Sequence, residues 1–160
     1  ERFAEKVREV IPFDRITVNT INMKDHTRTV SYVKGSRFWD DRVGETIALD
    51  AGTRSEHVVR TKSSLLTNSK NREEMIKKFP RMLTYRSKSK TAMLIPLISR
   101  DEVIGILYIQ SGAIDSYSEA DLHIANRVGY QIAGAIANAH LFLQQSSVKE
   151  RRMVYRWIFC

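Results

Sequence analysis

Thr91–Gln110 reads TAMLIPLISRDEVIGILYIQ. Two apolar runs rich in strand-forming residues, Thr91 to Ile98 and Val103 to Gln110, flank the polar tetrad Ser99, Arg100, Asp101 and Glu102. Both runs favour a pleated backbone, and so short a polar link folds one back on the other as an antiparallel pair. Apolar residues fall on both parities of each run, so the hairpin belongs in the middle of a sheet that is covered on both faces.

Just downstream, Ser118-x-x-Asp121 has the form of a capping box, in which two side chains satisfy free N–H groups of a helix start, and Tyr117 is placed to staple onto Leu122. Leu122, Ala125, Gly129, Ile132, Ile136, Ala139 and Leu143 then recur at a spacing of three and four, one continuous helical stripe. A helix over 119–145 would be about 40 Å long, longer than the sheet beneath it, so its far end serves something beyond the core.

Upstream, Phe3, Val7, Val10 and Ile11 share one face of a short helix that Pro12 stops. Arg15 to Ile21 and Thr27 to Val33 form a second hairpin around a turn at 22–25. A short strand is expected at 46–49. The capping box Thr53-x-x-Glu56 opens a helix over 54–61, and a brief strand follows at 65–67. Asn71 is placed to cap a helix with Met75, Ile76 and Phe79 on one face, ended by Pro80. No clear period runs through 81–90. The order predicts an α+β fold: a central antiparallel sheet with the terminal helices on one face and the short middle helices roofing the other.

The 160 residues suit one domain, read as 1–145, with a C-terminal helical extension or linker over 146–160 that leads toward an output domain. Glu1 stands inside the first helix with neither an initiator Met nor a signal-peptide pattern, as expected of a piece of a longer protein. No apolar run reaches the roughly 18 residues that span a bilayer, so no membrane contact is expected and the setting is cytoplasmic. Cys160 is the only cysteine, which excludes an intramolecular disulfide and a buried thiol nucleophile. The net charge of +8 is concentrated in two segments. One, 70–90, has eight basic residues against Glu73 and Glu74; the other, 149–156, has four against Glu150.

Three stretches carry a resemblance: FDRITVNTI from Phe13, IPLISRDEVIGILYIQS from Ile95, and YSEADLHIANRVGYQIAGAIANAHLF from Tyr117. Together they resemble the GAF domain family, the ligand-binding and dimerising module of bacterial sensor kinases and cyclic-nucleotide phosphodiesterases. The likeness runs from about Phe3 to Phe142 and is weakest over 37–90, where such domains place their ligand pocket. Bilin-carrying and methionine-sulfoxide-reducing members need pocket cysteines that this chain lacks. Asn68, Lys70 and Phe79 echo the cyclic-nucleotide signature, but Pro80-Arg-Met-Leu-Thr84 stands where its acidic pair belongs.

Within the resemblance, the ligand-binding candidates are Phe38, Trp39, Ser55, His57, Arg60, Asn68, Phe79, Met82 and Tyr85: aromatics and methionines for an apolar cavity, polar groups for its edge. These aromatics equally suit a closed distal core. His57 can ligate haem iron or make a plain polar contact; the expectation is no cofactor and no metal. The basic segment 70–90 is a solvated or docking face, a lid over an anionic ligand, or a nucleic-acid surface, and the last is set aside because no stacking aromatics alternate with the charges. No phosphate-binding glycine loop, His-Glu-x-x-His or Gly-x-Ser-x-Gly motif supports catalysis.

A dimer and output helix is read from Ala133, Ala137, Phe142, Met153 and Trp157: small residues off the main stripe, then apolar residues at one-turn spacing on a basic segment. The resulting expectation is a non-catalytic homodimeric sensor that binds a small ligand, anionic where the basic lid applies, and regulates an attached output domain such as a bacterial histidine kinase of a two-component system. The alternative is a structural dimerisation module with no ligand.

Overall fold

The computed structural model describes residues 2–38, 42–81 and 88–143, the last four of these for backbone only. Helix α1 (Arg2–Val10) leads into strands β1 (Arg15–Asn22), β2 (Thr27–Gly35) and β3 (Thr46–Ala48). Helix α2 (Arg54–Thr61), β4 (Leu65–Asn68), a 3₁₀ turn (Ser69–Asn71) and α3 (Arg72–Lys78) follow. The chain then forms β5 (Thr91–Ser99), β6 (Glu102–Ser111) and α4 (Glu119–Leu143). The fold is α+β, as expected.

The six strands pair antiparallel in the order β3-β2-β1-β6-β5-β4. Arg100 and Asp101 both take positive φ, 49° and 65°, which gives the two-residue link a twist matching that of the strands it joins. Register runs from Thr91 opposite Ser111 to Ser99 opposite Glu102. β6 therefore lies between β5 and β1, two strands in from the β4 edge and three from the β3 edge.

Both faces of the sheet are covered, by the helices expected. Ala4, Val7 and Ile11 join Ala125, Ile132, Ala133 and Ile136 in one cluster with Ile16, Val18, Ile95, Leu107 and Ile109 from the strands. On the opposite face, Val58 and Val59 of α2, Met75 of α3 and Phe79 pack on Leu65, Ala92, Leu94 and Ile106. Tyr117 ties the start of α4 to the end of α1 through Oη donating to the Pro12 carbonyl, 3.0 Å. Burial of that phenol raises its pKa well above the ordinary 10.0, which keeps it a donor.

Local chemistry departs from expectation at two helix starts. Ser118 and Asp121 form the full reciprocal box, with Asp121 N–H donating to Ser118 Oγ and Ser118 N–H to Asp121 Oδ2. Thr53 Oγ1 accepts from Glu56 N–H at 3.2 Å, but the Glu56 carboxylate turns to Arg60 instead of reaching back, so that box is half made. Asn71 makes no side-chain cap; Asn68 caps the 3₁₀ turn ahead of it. No described helix is long and apolar enough to cross a membrane.

The two glycines of α4 test this packing in opposite directions. A Cβ on Gly129 would stand 2.6 Å from Ile95 Cγ2, whereas one on Gly134 meets nothing within 4 Å. Gly129→Ala is expected to destabilise by about 1–3 kcal/mol through overpacking. Gly134→Ala is expected to stabilise by up to about 1 kcal/mol through helix propensity alone. Urea unfolding of the two variants beside the parent checks both signs.

Candidate functional site

Strand β1 alternates, and its two parities meet different chemistry. Ile16 and Val18 enter the helix-side core, so Arg15, Thr17 and Asn19 point to the roof, all three buried. Opposite them on β6 stand Gln110, Tyr108 and Ile106 in register. The roof side of the sheet thereby carries two kinds of surface: a dry cluster of Phe79 and Met75 on Leu65, Ala92, Leu94 and Ile106, and beside it a polar patch of Arg15, Thr17, Asn19 and Gln110 from β1 and β6 with Thr67 from β4.

The first turn of α2 closes the polar patch from above. Ser55 Oγ and Tyr108 Oη share a buried 2.8 Å hydrogen bond, which joins roof to sheet at the centre of the layer. Arg54 Nη1 donates to Thr67 Oγ1 at 3.0 Å, on β4. From the other side Arg28 of β2 donates to Asn19 Oδ1 at 2.8 Å and places its guanidinium 5.8 Å from the Tyr108 ring centroid. Arg15 donates to the Ser36 carbonyl at 2.9 Å. Thr17 Oγ1 is buried with no hydrogen-bond partner among the described residues.

Arg54 is half-buried as a residue, but its charged end lies among protein atoms. Desolvation lowers its pKa, the nearby Arg28 charge lowers it further, and Tyr108 works the other way. Guanidinium remains protonated under such shifts, so the layer holds a desolvated positive charge.

Of the residues expected here, Ser55 lies in the polar layer. Phe38 is partly buried at its end, where a Cβ on Gly112 would come within 3.6 Å of the Phe38 ring. Phe79 completes the dry cluster, with His57 edge-on against it at 5.2 Å. Arg60 is exposed and paired with Glu56 at 2.9 Å. Asn68 faces away toward the loop before α4, where its Nδ2 donates to Asp115 Oδ1. Trp39, Met82 and Tyr85 lie outside the described residues, as do Met153 and Trp157; of Phe142 only the backbone is described.

Within the basic segment, Lys70 pairs with Asp115 at 3.2 Å and Arg81 with Asp50 at 2.5 Å. On α4 the expectation for Ala133 is corrected: it is 1% exposed, inside the helix-side core, because the buried arc of the helix is wide enough to include it. Ala137 is half-buried. Sequence reading missed Arg15, Thr17, Asn19, Arg28, Arg54 and Tyr108. The available signal was polar residues at every second position of a strand whose other parity is apolar.

The six-stranded antiparallel sheet, with terminal helices behind and a helical roof in front, is a fold shared with solved GAF domains. The chain belongs to the GAF domain family, whose model matches residues 4–137. It is 25% identical over 156 residues to the formate hydrogenlyase transcriptional activator FhlA of Escherichia coli, covering 94% of this chain and 22% of that protein. The chain thus spans about a fifth of the length of the curated relatives it matches. Among solved structures, the GAF domain of a two-component sensor histidine kinase from Bacillus halodurans aligns with a TM-score of 0.68 at 19% identity, over 88% of this chain and 92% of that one. A type II free methionine-R-sulfoxide reductase from Thermoplasma acidophilum aligns with a TM-score of 0.62 at 16% identity, over 81% and 83%. Both likenesses concern the fold.

The Ser55–Tyr108 bond is separable from its surroundings by a double-mutant cycle. Ser55→Ala and Tyr108→Phe are each expected to cost about 1 kcal/mol, and the double variant less than their sum, with a coupling of about 0.5–1.5 kcal/mol by urea unfolding.

His57 gives the roof a pH dependence. Burial first, then Lys78 and Arg60, lowers its pKa below the ordinary 6.5, against a smaller opposing effect of Glu56. The unfolded chain then binds the proton more readily, so the stability is fully present above 6.5 and is lost as pH falls through the lower folded value. His57→Gln is expected to flatten the stability profile between about pH 7 and pH 5, measured by urea midpoints at each pH.

Proposed function

We propose that this chain is the input module of a signalling protein: it takes up a small ligand between the sheet and the roof and passes the event through α4 to an attached output domain. The observation that carries this reading is the buried polar layer of β1 and β6 beneath α2. A roof that served packing alone gains nothing from arginines and an unpaired threonine hydroxyl at this depth, since buried polar groups without partners cost stability. Occupancy by a ligand satisfies them.

A route to the output is at hand. Asn68 and Lys70, at the entry to α3, both bind Asp115 in the loop that precedes α4. Movement of the roof therefore acts on the start of the long helix, and a paired copy of that helix would carry it onward. We read the module as a homodimer through its terminal helices. The curated relatives are transcriptional activators, which favours control of transcription over a kinase as the output and a cytoplasmic setting. Catalysis and a haem or bilin cofactor form no part of the proposal: the only cysteine is Cys160, and His57 is engaged with Phe79. The rival, a dimerisation module without ligand, draws its support from the side-chain-filled dry cluster.

The test is mass spectrometry of compounds released on denaturing gently purified protein, with hydrogen exchange before and after their removal and light scattering of the same sample. A stoichiometric compound, protection concentrated in α2 and the segment over 53–85, no Soret band and a dimeric mass are expected. Absence of any compound, together with exchange that no extract alters, favours the rival.

A further inference from the structure

Among the described residues, two cations of the polar layer lack the carboxylate partner that several cations elsewhere on the molecule have. Arg60, Lys62, Lys70 and Arg81 each stand within 4 Å of a carboxylate. Arg28 and Arg54 do not: among the described residues their hydrogen-bond partners are the Asn19 amide and the Thr67 hydroxyl, both neutral. One such bond leaves most of the five N–H donors of a guanidinium unused.

They also converge. Arg28 reaches from β2 and Arg54 is bonded on β4, each two strands from β6, and the Tyr108 side chain stands between them. The charges are close enough that Arg28 lowers the Arg54 pKa. Thr17, whose buried hydroxyl lacks a partner among the described residues, is opposite Tyr108 in the β1–β6 register. Two like charges and an idle hydroxyl over one tyrosine leave the same need, an acceptor that is negative.

We infer that the ligand carries an oxyanion, a carboxylate or phosphate group, bound between Arg28 and Arg54 above Tyr108 with Thr17 Oγ1 as a further donor; this rests on the reading of the chain as a ligand-binding module. Planar guanidinium forks match both kinds of group, and charge-assisted bonds in a desolvated layer are the strong ones. Ser55 holds the Tyr108 hydroxyl and so fixes the floor of the site. The exposed lysines of α3 lie outside it, and Lys70 and Arg81 are paired with Asp115 and Asp50, so among the described residues anion recognition falls to β2 and α2.

The experiment titrates the purified chain, stripped of bound compounds, with acetate and separately with inorganic phosphate. Chloride holds the ionic strength constant, and thermal unfolding is the readout. A saturable rise in Tm is expected. Arg28→Gln and Arg54→Gln should weaken it at least about tenfold, the scale of a lost hydrogen bond to a charged group. Thr17→Val, which keeps the shape of the side chain and serves where an arginine variant fails to fold, should weaken it while leaving the unliganded Tm unchanged or higher. Lys77→Gln, on the exposed side of α3, should respond like the parent. A response to phosphate alone identifies a phosphorylated ligand, to acetate alone an organic acid, and to both the shared chemistry. No saturable response to either anion, or one indifferent to Arg28, Arg54 and Thr17, overturns the inference. Release of a stoichiometric uncharged compound overturns it too while leaving the sensor reading intact, whereas a chain that releases nothing and answers no anion loses both.

Discussion

Cover on both faces of the central strands is the constraint from which the rest of the molecule follows. β1 and β6 lie deep in the sheet, so nearly all of their residues, on both parities, meet a layer of protein. On one face the demand is met by two helices distant in sequence, α1 and α4, packed into a dry cluster. On the other, the cover comes from the short roof helices, and there two kinds of surface lie side by side. The cluster under Phe79 is as dry as the helix side, while the patch under Arg54 and Ser55 is polar, its buried groups joined by specific hydrogen bonds. Buried polar groups are tolerated when they are satisfied and costly otherwise. Thr17 Oγ1, without a hydrogen-bond partner among the described residues, is therefore a costly group to hold at the centre of the layer.

What was legible beforehand depended on how far each signal reached along the chain. The Thr91–Gln110 hairpin announces itself because its strands and its turn are contiguous, and α4 because its stripe repeats over many turns. The capping box at Ser118 was read correctly from two residues, since its partners are three positions apart. Glu56 defeated the same rule: Arg60, one turn on, offers a charged partner that outcompetes a backbone N–H. Ala133 was misplaced for a related reason. A stripe drawn through Ile132 and Ile136 marks the centre of the buried arc, and the width of that arc depends on α1, which packs into the same cluster from the far end of the sequence.

The polar layer was harder to see because its members come from four strands and a helix. Arg15, Thr17 and Asn19 are spaced by two, a strand signal in themselves, but polar alternation usually marks a solvated face. Only the sheet order reveals that β1 is central and that these side chains are enclosed. Likewise nothing in the local sequence around Arg28 or Arg54 distinguishes them from surface arginines such as Arg60. Antiparallel pairing and the docking of α2 bring them to Tyr108.

The same topology links this layer to the start of α4. β6 carries Tyr108 in the site and ends at Ser111, after which the chain turns toward α4. That turn is held from several directions: Asp14 accepts from Gly112 N–H, Thr91 Oγ1 donates to the Ala113 carbonyl, and Asp115 is bonded to Asn68 and Lys70 of the roof. Asp115 itself has φ of 54°, a backbone state that non-glycine residues adopt only where neighbours hold it. The loop is thus tied to the sheet through Asp14 and Thr91 and to the roof through Asp115. A relative shift of sheet and roof would therefore strain the bonds of this loop, which leads directly into α4. On the proposed reading, sensing and output would meet in this short turn, because a single strand, β6, carries Tyr108 at one point and leads into α4 at its end.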